Sequence, residues 1–192
     1  MSETVVSAVD VPPLRALLAN IVSGALVLGL GSRVVMRVIA ILAGPEHEGA
    51  STGGGNIVGQ ITVKGSIGML VPGAVGGVIA GLMYLVIRQW LPGGLIFRGL
   101  SYGVLTLVLF GSFLLGDGRD FRFTTPGVQL VMFGALFLIY GLFASWWAER
   151  WGKGLPSQRP TRVGYLVLSA IMVGGLARLA GPAMDLLRSY RG

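Results

Sequence analysis

Residues 123–148 read FTTPGVQLVMFGALFLIYGLFASWWA, 26 residues without a charged side chain. At ~1.5 Å of rise per residue, ~20 apolar residues in a helix cross the ~30 Å hydrocarbon layer of a bilayer. This run is apolar around its whole circumference, so it predicts a buried or membrane-spanning helix. Such a helix would need a large soluble protein around it to be buried away from lipid.

The rest of the chain supplies no such protein. Of its 192 residues, 53% are hydrophobic and 12% are charged. The mean hydropathy is +0.76. Soluble domains average ~25% charged residues, about twice this content. Four more apolar segments flank the first, at 14–43, 66–88, 97–116 and 163–187. The expected fold is therefore all-α: a polytopic transmembrane bundle of five helices in one integral membrane domain. The longest connection is the glycine-rich stretch 44–65, GPEHEGASTGGGNIVGQITVKG. Alternation over Ile57–Lys64 allows a short strand or hairpin there, with a plain loop as the other reading.

The first segment is longer than one perpendicular crossing needs. Asp10 suits an N-cap and Pro12-Pro13 suit a first helical turn. From Leu14 to Ala43 a helix would extend ~45 Å, so it must tilt, protrude or break, with Gly29 and Gly31 as the weak points. Glu3 and Asp10 precede the first basic residue, Arg15, which does not suit a signal peptide.

Five alternating spans put the connections after the second and fourth segments on one side of the membrane. Trp90, Trp146, Trp147 and Trp151 all fall there or at the adjoining helix ends, as interfacial tryptophans should. The Lys and Arg residues divide equally between the two sides. The basic density of 148–162 favours a cytoplasmic N-terminus and a place in the bacterial inner membrane.

Lipid is as apolar as leucine, so close backbone approach through small residues is what joins helices in a bilayer. Gly73, Gly77 and Gly81 recur every four residues, and Gly99 and Gly103 repeat the spacing. Gly127, Gly134 and Gly141 lie seven apart, and Ala170/Gly174 and Ala177/Gly181 form two small-residue pairs. These stripes pack the bundle itself, or one of them faces another subunit, with Gly73/Gly77/Gly81 the candidate for that role.

Charges at membrane depth mark sites by default. Arg33 and Arg37 sit one turn apart, and Arg178 interrupts the last segment. Together they would form an anion or lipid-headgroup site if they converge; separately they would snorkel to the interface. Asn20, Ser23, Ser101, Tyr102, Thr106, Gln129 and Tyr140 are expected to hydrogen-bond between helices. His47 is the single histidine and the chain has no cysteine. That argues against a metal site, a two-histidine haem and thiol chemistry, so no cofactor is expected. The glycines at 53–55 lack the Gly-Lys-Ser/Thr ending of a phosphate loop. Basic residues are scattered, which argues against nucleic acid as a partner.

No motif carries recognisable chemistry. The leading expectation is a non-enzymatic accessory or scaffold subunit of a membrane complex, or a homo-oligomer, with membrane lipid and other membrane subunits as partners. The alternative is a channel or transporter for an anionic or lipid-like substrate that uses Arg33 and Arg37. A third is an enzyme acting on lipid.

Overall fold

The computed structural model describes residues 12–43, 63–91, 94–115, 126–152 and 162–189. Helices account for nearly all of them, and no strand occurs among the described residues. A first rod consists of α1 (Pro12–Ser23), a π-helical segment (Gly24–Leu30) and α2 (Gly31–Ala43). Then come α3 (Val63–Ile87), a 3₁₀ turn (Arg88–Trp90), α4 (Leu95–Leu115), α5 (Pro126–Trp151) and α6 (Arg162–Ser189).

Local chemistry sets several of these ends. Pro12 and Pro126 stand in the first described turns of their helices, where a missing N–H is harmless. Leu91 is extended, with ψ 147°, as a residue before proline must be. Gly31 keeps helical dihedrals and donates its N–H to the carbonyl of Leu26, five residues back. The first rod therefore does not break at Gly29 or Gly31: it widens by a π turn and continues. Val63 and Lys64 begin α3 instead of ending a strand, while the rest of the proposed hairpin and His47 lie outside the described residues.

Among the described residues, three helices are long and apolar enough to cross a membrane: Pro12–Leu42, Gly65–Trp90 and Leu130–Trp151. Two more contain shorter apolar stretches, Leu95–Gly111 and Leu168–Arg178. The expectation of five spans is thus met by three helices on length and apolarity together. The outward face of α3 is what a lipid-facing helix needs: Ile67, Val71, Val75, Ile79, Leu82 and Val86 are all more than half exposed. In water such a ridge would be an aggregation surface.

The first rod lies against α3 and α5, α5 against α4, and α4 against α6. Glycines bring the rod–α3 and α4–α5 pairs to backbone contact. A Cβ on Gly77 would sit 2.6 Å from the Asn20 carbonyl oxygen, and one on Gly73 would sit 2.7 Å from that of Gly24. Gly81 faces Leu17 and Asn20. The Gly73/Gly77/Gly81 stripe is therefore covered by this chain's own first rod and leaves no open face for a second subunit. Gly99, Gly103 and Gly141 join α4 to α5 in the same way, with a Cβ on Gly103 falling 2.8 Å from the Phe137 carbonyl. Gly127 and Gly134 do not: nothing lies within 4 Å of a Cβ at Gly127, and only Leu107 comes within 3.9 Å at Gly134. Of the seven-residue series, only Gly141 lies at a helix crossing.

Candidate functional site

Polar side chains gather in two tiers, one inside the bundle and one at its end. The inner tier is centred on Asn20 of α1, which is fully buried. Its Nδ2 donates to the Ala16 carbonyl at 2.9 Å. Its Oδ1 accepts from the Tyr102 hydroxyl of α4 at 2.9 Å and from the Tyr140 hydroxyl of α5 at 3.3 Å. Both lone pairs of the amide oxygen are thereby used. One asparagine clasps three helices, at a depth where water is not there to satisfy the tyrosines. Thr106, Ser23, Ser32 and Ser145 instead return their hydroxyls to carbonyls three or four residues back in their own helices.

An amide oxygen receiving two O–H donors is an end point and passes no proton on. The inner tier is thus a fastener. Asn20→Ala should leave the Tyr102 and Tyr140 hydroxyls, 3.5 Å apart, with only each other, so that one lacks an acceptor, and lower stability by roughly 1–3 kcal/mol. Tyr102→Phe, which leaves Tyr140 on the same oxygen, should lower it by only about 0.6 kcal/mol. Unfolding titrations in mixed micelles should rank the two variants in that order.

The outer tier surrounds Glu149, near the end of α5. Its Oε1 accepts from the Tyr84 hydroxyl at 2.8 Å and lies 3.1 Å from Arg98 Nη1 and 3.4 Å from Arg88 Nε. Arg88 Nη2 reaches Oε2 at 3.4 Å. One carboxylate therefore ties α3, α4 and α5 together, with two guanidiniums against a single negative charge. Arg98 Nε is buried and has no acceptor among the described residues. The tiers meet through rings: Tyr84 stands edge-on to Tyr102 at 4.9 Å, and Tyr102 lies 5.9 Å from Tyr140.

The outer tier also shows how the helix ends are arranged. Arg88 and Arg98, at either side of the α3–α4 connection, meet Glu149 at the C-terminal end of α5. Trp90 packs against Gly164 at the start of α6. Trp147 and Trp151 contact each other edge-on at 4.5 Å beside them. The tryptophans and these basic residues thus share one end of the bundle.

Arg33 is buried and donates from Nε to the Gly65 carbonyl at 3.2 Å, fastening α2 to the first turn of α3. Arg37 is half-buried one turn further along. Arg178 is exposed on α6, which packs on α4 and α5 rather than on α2. The three arginines are not gathered into one site. No group of three or more His, Asp or Glu able to hold a metal occurs among the described residues.

Glu149 is the residue that sequence reasoning passed over, having bounded the fourth segment at Ala148. The signal was present in the charges: Arg88, Arg98 and Glu149 all fall at helix ends on the predicted tryptophan-bearing side. Comparison with protein-family models, curated proteins and solved structures finds no match.

Proposed function

We propose that the chain is a non-enzymatic membrane protein: a rigid bundle of five spans that serves as an accessory or scaffold subunit through the outer face of α6. The observation that carries this reading is the two-sidedness of α6. Its inner face packs, with Gly164 against Trp90 and Gly175 against Val108. Its outer face exposes Ala170, Gly174, Ala177 and Arg178, and no atom lies within 4 Å of a Cβ at Gly174 or Gly181. A cation beside these small residues, with Leu166 and Val173 exposed among them, suits a neighbouring helix that supplies the counter-charge.

Five spans are supported by helix length as well as by the shared tryptophan end. At ~1.5 Å per residue, α4 and α6 reach ~31 and ~42 Å. The same end carries Arg15, Arg88, Arg98 and Arg150, which favours placing it, and the N-terminus, in the cytoplasm. The bond from Arg33 to the Gly65 carbonyl favours a fastening role for that residue over an anion-carrying one.

The chain contains no cysteine, so a single introduced thiol reports one position cleanly. Gly174→Cys in native membranes should form an oxidant-dependent disulfide or a maleimide crosslink to a second polypeptide. Val75→Cys, on the lipid-facing ridge of α3, should not. Absence of a crosslink at 174, together with a lone 20.1 kDa chain in native mass spectra after gentle extraction, would sink the subunit reading.

A further inference from the structure

We propose that the groove between the α4 start and the α5 end binds one anionic phospholipid, with an acyl chain along the groove and the phosphate at Arg150. The groove has a volume of ≈ 360 Å³ and is lined by Leu95, Ile96, Ile139, Leu142, Phe143 and Trp146. That volume falls at the lower end of the ~300–1,000 Å³ typical of ligand pockets. Every lining side chain is apolar. Ile96 is 65% exposed and Ile139 is 55% exposed, so the groove opens outward, toward hydrocarbon in a membrane.

Its dimensions and its ends specify the occupant. From Ile139 to Trp146 the floor rises ~10 Å along α5. One leaflet is ~15 Å deep, half the hydrocarbon thickness, so a chain seated here would run most of the way to the midplane. At the Trp146 end, Arg150 holds its guanidinium 5.8 Å over the indole ring. Arg150 is exposed and has no carboxylate within ion-pair distance among the described residues. Glu149 next to it is turned to Arg88 and Arg98 and does not compete for Arg150. A cation fixed on an interfacial tryptophan at the mouth of an apolar groove matches a phosphate on an acyl chain.

The preference for an anionic headgroup follows from the surroundings. Arg88 and Arg98 outnumber Glu149 at the same end, so an added choline or ethanolamine cation would meet net positive charge. A phosphatidylglycerol headgroup brings a phosphate and no cation.

The test uses the intact protein in mild detergent, with phosphatidylglycerol or phosphatidylcholine of identical chains added and adducts read by native mass spectrometry. Wild type should retain phosphatidylglycerol about fivefold more than phosphatidylcholine, the effect of one well-placed cation. Arg150→Gln should abolish that preference, while Lys64→Gln, a charge removed at the start of α3, should leave it intact. Ile139→Trp, which fills the groove, should reduce retention of both lipids. Arg150 is exposed, so its variant keeps the fold. Equal retention of the two lipids by wild type, or an unchanged preference in Arg150→Gln, overturns the proposal. So does a second polypeptide that Ile139→Trp releases from the complex, because the groove would then hold a protein.

Discussion

Gly77→Val is expected to unseat the first rod from α3, and Gly76→Val, one residue away, is expected to change almost nothing. A Cβ at Gly77 would meet the Asn20 carbonyl oxygen at 2.6 Å and the Ile21 Cα at 2.8 Å, whereas nothing lies within 4 Å of one at Gly76. The obstructing atoms belong to backbone, so no rotamer change relieves the clash. The rod must move away as a body, and Asn20 moves with it, pulling on its bonds to Tyr102 and Tyr140. Overpacking of this kind costs ~1–3 kcal/mol where side chains can adjust, and more where only backbone can. A loss of at least ~3 kcal/mol for Gly77→Val, against under ~0.5 kcal/mol for Gly76→Val, should be visible in unfolding titrations in mixed micelles. Equal effects at the two positions would mean that α1 and α3 do not meet along this line.

Glu149→Ala should be comparably damaging for the opposite reason, because it removes an attraction and leaves the repulsion behind. Arg88 and Arg98 would face each other without their shared carboxylate, and the fully buried Tyr84 would lose its acceptor. Removing one partner of a buried ion pair costs ~3–5 kcal/mol. The Glu149 side chain is 25% exposed, which places the expected loss near the bottom of that range, at about 3 kcal/mol. Glu149→Gln keeps an oxygen for Tyr84 and should lose distinctly less. Arg98→Ala in the Glu149→Ala background should recover part of the loss, since one of the two stranded cations is gone. Melting temperatures of wild type, Glu149→Ala, Arg98→Ala and the double variant in one detergent would close this double-mutant cycle. If the single and double variants fall equally, the cluster contributes through packing and its charges are incidental.

The helices were legible because membrane solvation writes a strong signal. A helix in lipid must be apolar all round, and each of the five apolar segments holds a helix among the described residues. Asn20, Tyr102 and Tyr140 were also legible as interhelical hydrogen-bonding groups, because polar atoms in an apolar run must find one another. Which residues pair was not, since pairing depends on how the helices are rotated about their axes. The glycine stripes show the same divide. Spacing alone treats Gly73/Gly77/Gly81 and Gly127/Gly134/Gly141 as equivalent, yet only the first set is in backbone contact throughout. Glu149 was missed because a charge at a helix end looks solvated until two arginines from other helices are seen closing on it.

The π turn at Gly24–Leu30 has a bearing on how the length of this chain can change. Continuing the α1 burial pattern of Ala16, Ala19, Asn20 and Ser23 at the ordinary helical period would bury Val34 and Ile41. Those two are 60% and 66% exposed, and Val35 and Ile39 are buried at 8% instead. The π turn thus takes up one extra residue and hands α2 on with its inward face preserved. Loss of a single codon between 24 and 30 would convert the wide turn to ordinary α-helix and leave both halves facing the bundle as they do now. The same loss in the middle of α3 would rotate everything beyond it by ~100° and turn glycines away from the first rod. Insertions and deletions over the history of this protein are therefore expected to collect at the first rod's wide turn and to be purged from α3.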